Sequence, residues 1–231
     1  MISIENLSKV YNNVKVLDIH RLEIRRGESI GLVGNNGAGK TTLFSLMLNL
    51  IQATSGNVKI KDIEVNKDES WKDFTGAFLD ESFLIGYLTP EEYFNFIGAL
   101  QGMNKVDVAN FVAQYEEFFN GEILNIRKYI RDLSKGNQKK VGIIGALIGS
   151  PELIILDEPF ANLDPSSQFR LKKLIKTLIE EREVTILISS HDLSHTVEIS
   201  DRIIVLEKGK VIKDLETSPE TLEELHTLFS I

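Results

Sequence analysis

Residues 34–42, Gly34-Asn35-Asn36-Gly37-Ala38-Gly39-Lys40-Thr41-Thr42, bring glycines, a lysine and two hydroxyls together at a spacing suited to holding an anion. The glycines let the backbone curl so that successive N–H groups point inward at one negative charge. A helix starting near Gly39 adds its unpaired N–H groups and the positive end of its dipole. Lys40 can reach the outer members of a phosphate chain, and the Thr41 hydroxyl is a hard oxygen suited to Mg²⁺. The string matches the phosphate-binding pattern Gly-x-x-x-x-Gly-Lys-Thr, which carries weight only between a strand and a helix. Both are expected here. Residues 29–33 are apolar enough for a buried strand, and Leu43, Phe44, Leu46, Met47 and Leu50 recur at helical spacing behind the loop.

A second chemical element is Leu153-Ile154-Ile155-Leu156-Asp157-Glu158-Pro159, an apolar strand ending in adjacent carboxylates. Ligands of parallel sheets collect at the carboxyl ends of strands, so this tip is expected beside the phosphate loop. Asp157 is then placed to hold Mg²⁺, directly or through water. Glu158 is placed to orient or deprotonate an attacking water.

The elements that must position these groups follow from the pattern of apolar residues. Short strands are expected at 2–5, 22–24, 29–33 and 58–60, then again at 153–156, 185–189 and 203–206. Between the two sets, segments 91–100 and 106–119 place apolar residues at helical spacing, with Pro90 suited to a first helical position. Apolar strands alternating with helices, such as 169–181, argue for an α/β fold with a mainly parallel sheet. The expected organisation is one domain: a core lobe of about 1–83 and 151–215, an inserted helical lobe of about 84–150, and a short helix within 218–231. The stripe Leu222, Leu225, Leu228 and Phe229 on that last helix is expected to pack on the chain's own core.

At 231 residues, with 42% hydrophobic and 26% charged residues, the chain has the composition of a globular protein able to bury a sizeable core. A net charge of −8 disfavours nucleic acid as a partner, and the absence of cysteine removes disulfide and thiolate chemistry. Residues 1–6 have neither a basic start nor an apolar signal core, and no apolar run approaches the ~18 residues of a membrane helix. The expectation is a cytoplasmic protein, peripheral on the cytoplasmic face of the membrane through a partner.

Between the phosphate loop and the second strand tip lies Leu133-Ser134-Lys135-Gly136-Asn137-Gln138-Lys139-Lys140. It resembles the Leu-Ser-Gly-Gly-Gln signature of ATP-binding cassette (ABC) ATPases and stands in that family's order. Ala161-Asn162-Leu163-Asp164-Pro165 looks like the family's D-loop, His191 like its switch histidine, and Tyr11 occupies the place of the aromatic that stacks on adenine. The likeness runs from about residue 2 to 212. It implies a P-loop NTPase core with N-terminal antiparallel strands, and ATP and Mg²⁺ bound by Tyr11, residues 34–42, Asp157 and Asp80. It also implies a head-to-tail dimer of nucleotide-binding domains in which Ser134 and the Gly136 backbone complete the partner's site and Asp164 links the two. His191 would contact the γ-phosphate from within its own chain.

Two departures stand out. Asp80, after the expected strand at 76–79, occupies the place of the Q-loop glutamine; it serves Mg²⁺ or water there, or is simply a strand-end carboxylate, with Glu81 beside it. Lys135 replaces a signature glycine, which is similar to ABC proteins whose ATPase chain serves an exporter-type membrane subunit. Phe83, Leu84, Ile85 and Tyr87 are candidates to dock that subunit, with some of the four belonging instead to the core. His191 and His195 stand four apart, a spacing that can bring both to a metal, although no third ligand is evident. The resemblance therefore implies a transporter-powering ATPase of exporter type; the rival readings are a soluble non-transport ABC ATPase and an ATP-dependent switch with little turnover.

Overall fold

A computed structural model of the chain describes residues 1–182 and 184–229. Strands β1 (Ile2–Tyr11) and β2 (Val14–Ile24) form a long antiparallel hairpin, turned by Asn12 and Asn13, both in the left-handed region at φ 47° and 65°. Strand β3 (Ser29–Val33) leads into the phosphate loop and α1 (Lys40–Met47). Strands β4 (Ser55–Ile60) and β5 (Ile63–Glu64) complete a four-stranded antiparallel sheet of order β2-β1-β4-β5. After β6 (Thr75–Phe78) come the helices α2 (Pro90–Leu100), α3 (Lys105–Ala113), α4 (Glu116–Phe119) and α5 (Lys135–Leu147). The remaining elements are β7 (Leu153–Leu156), α6 (Pro165–Arg182), β8 (Thr185–Ser190), α7 (Leu193–Ile199), β9 (Arg202–Glu207), β10 (Lys210–Glu216) and α8 (Thr221–Phe229). Ser230 and Ile231, the end of the expected terminal segment, lie outside the described residues.

The central sheet has six strands in the order β10-β9-β3-β8-β7-β6, with β9, β3, β8, β7 and β6 parallel and β10 antiparallel at one edge. This is the mixed α/β, mainly parallel architecture expected. Strands β3, β7 and β8 are buried throughout because both faces are covered. On one face Ile154, Leu156, Ile186 and Ile188 pack with Val141, Ile144, Phe160 and Leu171 of the helical side. On the other, Leu153, Ile155 and Leu187 join Ile4, Leu17, Leu43 and Phe44.

Helix α2 begins in a capping box: Thr89 Oγ1 accepts from Glu92 N–H, and the Glu92 carboxylate accepts from Thr89 N–H. The stretch 106–119 is not one helix. It breaks at Gln114 and Tyr115 into α3 and α4, and Phe111, Val112, Phe118 and Phe119 on the two sides of the break share one core. Sheet and helices meet most closely at Gly76, where a Cβ would stand 1.8 Å from the Ala146 carbonyl oxygen. Helix α8 packs on the chain's own core, with Leu225 fully buried against Val33, Ile203 and Val205.

Candidate active site

The phosphate loop turns between the end of β3 and the start of α1. Gly37 and Gly39 hold φ of 80° and 108°, which only glycine adopts freely, and a Cβ on Gly34 would stand 2.3 Å from the Leu206 carbonyl oxygen. Asn35, Asn36 and Gly37 are exposed at the loop's crown, while Ala38 is buried, its N–H donating to the Asn35 carbonyl at 3.0 Å. Lys40 is folded inward and only 7% exposed; its ammonium donates to the Gly34 carbonyl at 2.6 Å and stands 3.6 Å from Glu158 Oε1.

Register brings the other groups to the same place. Strand β7 pairs with β8 through Leu156 and Ile188, so Asp157, just past the end of β7, comes beside Ser189 of β8. Asp157 accepts from Thr41 Oγ1 at 2.5 Å and from the Ser189 hydroxyl. Burial pushes its carboxyl above the usual range, and these two hydroxyls pull the other way. Glu158 sits at φ 47°, an unusual conformation for a side chain of this length. Its N–H donates to Ser189 Oγ at 2.9 Å, and its carbonyl accepts from Lys139 Nζ at 2.8 Å. Its carboxylate accepts from His191, at 2.7 Å from Nδ1 and 3.3 Å from the backbone N–H. Lys40, Thr41, Asp157, Glu158 and His191 thus form one bonded cluster. Ser189, whose hydroxyl joins both carboxylate residues, was not singled out from sequence; its signal was a hydroxyl pair ending an otherwise apolar strand.

Other expected site residues stand apart from this cluster. Asp80 follows β6, whose Phe78 carbonyl accepts from Asp157 N–H at 2.9 Å, so it is at the neighbouring strand tip. Its carboxylate instead accepts from Ser82 N–H at 2.7 Å, capping a short helical turn, and the Ser82 hydroxyl together with that N–H holds it below the usual carboxylate range. Ser134 caps α5 through Asn137 N–H at 3.2 Å and is exposed. Gly136 lies against the Asn162 carbonyl, which a Cβ would approach to 2.9 Å. Asp164 caps α6, accepting from the N–H groups of Ser166 and Ser167 at 3.0 Å and from both hydroxyls at 2.6 Å. These bonds drive its carboxyl far below the ordinary range. Tyr11 ends β1 beside the hairpin turn and is exposed, with the Lys9 ammonium 4.7 Å from its ring centre.

His191 lies ahead of α7, whose N-cap is Asp192, so His191 and His195 do not share a helix face. His195 turns instead to Gln168 Oε1 at 3.2 Å and to the Phe160 ring. Of the apolar set after Asp80, Leu84 is buried and Ile85 packs on the core, while Phe83 and Tyr87 are 60% and 68% exposed.

Hard oxygens on Thr41 and Asp157, a buried ammonium and a curled glycine backbone fit a phosphate chain carrying a divalent cation. A family model described as ABC transporter matches residues 17–161, and an AAA domain model matches residues 127–197. The chain is 35% identical over 212 residues to the uncharacterized ABC transporter ATP-binding protein YhaQ of Bacillus subtilis, covering 92% of this chain and 70% of that protein. It is 31% identical to the bacitracin transport ATP-binding protein BcrA of Bacillus licheniformis, covering 93% and 69%. The linearmycin resistance ATP-binding protein LnrL of Bacillus subtilis is 30% identical, with 92% and 68% covered. Among solved structures, the dimeric post-hydrolysis state of the ATP-binding cassette MJ0796 with ADP and Pi superposes with a TM-score of 0.86 at 25% identity, over 94% of this chain and 99% of that one.

Proposed function

The chain belongs to the ABC transporter family and is an ATP-binding subunit with ATPase activity; from that premise we propose that it works as a head-to-tail dimer powering export through a separate membrane subunit. The observation that carries the catalytic part is the single bonded cluster of Lys40, Thr41, Asp157, Glu158 and His191. Lys40 and the N–H groups of residues 34–42 hold the phosphates of ATP. Thr41 and Asp157 hold Mg²⁺, which supplies charge neutralisation along the phosphate chain. The Glu158 carboxylate accepts the proton of the attacking water, and His191 fixes that carboxylate's direction through its Nδ1–H. Asp80 keeps a supporting role beside Asp157, and Tyr11 offers its face to adenine.

Ser134 and the Gly136 N–H serve the nucleotide of the opposite chain, and Asp164 lies where the two chains meet. The dimeric state of the MJ0796 cassette supports this arrangement. No helix among the described residues is long and apolar enough to cross a membrane; the proposed membrane-spanning partner would hold the chain on the cytoplasmic face. Phe83 and Tyr87, the exposed members of the apolar set beyond Asp80, are the proposed contact with it. An outward direction is supported by Lys135 and by the bacitracin transport and linearmycin resistance proteins among the relatives.

The test is steady-state ATP hydrolysis by Glu158→Gln beside wild type. Binding of ATP is retained, and turnover falls by about a hundredfold or more, the usual contribution of a general base. Retained turnover would remove Glu158 from its role.

A further inference from the structure

Lys139 lies on α5, five residues beyond Ser134, and is only 5% exposed. A lysine ammonium is rarely buried without partners, and this one has two. It donates to the Glu158 carbonyl at 2.8 Å and stands 3.5 Å from Glu81 Oε1. That oxygen is buried and makes no hydrogen bond among the described residues, so the Lys139 charge is what compensates it. One ammonium therefore joins three segments: the helix that begins at Ser134, the tip of β7, and the turn following Asp80.

We propose that Lys139 is a positioning residue for the general base, holding the left-handed backbone of Glu158 through its carbonyl while Glu81 holds Lys139. The inference rests on the reading of Glu158 given above. A glutamate at φ 47° is strained and persists only when its surroundings impose it. Here the peptide is gripped on both sides, by Ser189 Oγ at its N–H and by Lys139 at its carbonyl, where Ala161 N–H adds a longer bond of 3.2 Å. The direction of the carboxylate toward His191 follows from that backbone. Without the ammonium, the carbonyl keeps only the Ala161 contact, and the charge of Glu81 stays buried without compensation.

The experiment measures kcat, KM and ATP binding for Lys139→Met, Lys139→Arg, Glu81→Gln and the double variant Lys139→Met/Glu81→Gln, with Glu158→Gln as control and thermal melting of each. Lys139→Met lowers kcat by about tenfold or more, as misplacement of a reacting group does, while ATP affinity stays within about twofold. Lys139→Arg, which keeps the positive charge beside Glu81 and a donor for the Glu158 carbonyl, restores most of the rate. Glu81→Gln costs less than Lys139→Met and adds almost nothing in the double variant, because it acts through the lysine. Should Lys139→Met fail to fold, the double variant, which buries no lone charge, gives the same reading. Wild-type kcat in Lys139→Met or in the folded double variant overturns the proposal, as does a loss of ATP binding equal to the loss of rate. Turnover lost in Glu158→Gln but kept in Lys139→Met overturns this inference alone; turnover kept in Glu158→Gln removes the base itself.

Discussion

At the carboxyl ends of β3, β7 and β8, Lys40, Thr41, Asp157, Glu158, Ser189 and His191 bond to one another, whereas at the start of α5 Ser134 bonds, among the described residues, to its own helix. The first region owes its convergence to parallel strands whose register delivers adjacent tips to one place. The second is a helix N-terminus backed by the Asn162 carbonyl and open to solvent in front. One chain thus brings together the groups proposed for phosphate, cation and water, and among the described residues leaves Ser134 and Gly136 without a bond to any of them. That contrast is the physical reason for reading the signature segment as half of a site completed by another chain.

The sharpest way to exploit this contrast is to damage each region separately. Lys40→Ala should weaken ATP binding to the isolated chain by about tenfold to a hundredfold, the worth of a charged hydrogen-bond partner. Ser134→Arg should leave that single-chain affinity unchanged and abolish turnover. Nucleotide titration at concentrations too low for dimers, set beside a hydrolysis assay, checks both; equal loss of single-chain affinity in the two variants would erase the distinction.

A smaller effect is expected at Asp164, where a local role overlaps the proposed cross-chain one. Its carboxylate caps α6, so Asp164→Ala should cost about 1 kcal/mol in denaturant unfolding of the monomer. Because the folded carboxyl is held below its ordinary range, that contribution is complete at neutral pH and is lost only as pH falls below the ordinary carboxylate range. An unchanged unfolding midpoint at neutral pH would show that the cap carries no weight and leave only the cross-chain role.

Strand tips proved easier to read from sequence than turns did. The runs 29–33 and 153–156 coincide with β3 and β7, because strands buried on both faces must be apolar along their whole length. The N-terminal hairpin is longer than its apolar fragments suggest: polar residues on its open face hide the pattern, and the Asn12-Asn13 turn emerges only in the structure. The break between α3 and α4 leaves no trace in periodicity, since 111, 112, 115, 118 and 119 keep helical spacing across it. Of the site, Lys40, Thr41, Asp157 and Glu158 were legible from residue type and place, and His191 from the family resemblance. Ser189 and Lys139 were not, because their importance comes from what pairing between distant segments sets beside them.

The most direct test of a site shared between two chains is complementation. Lys40→Ala and Ser134→Arg, each inactive alone, are mixed in equal amounts and ATP hydrolysis is measured. Half of the dimers are then mixed and each holds one undamaged site, so the account predicts recovery of about a quarter of the wild-type rate per chain. A mixture as inactive as its components would contradict it.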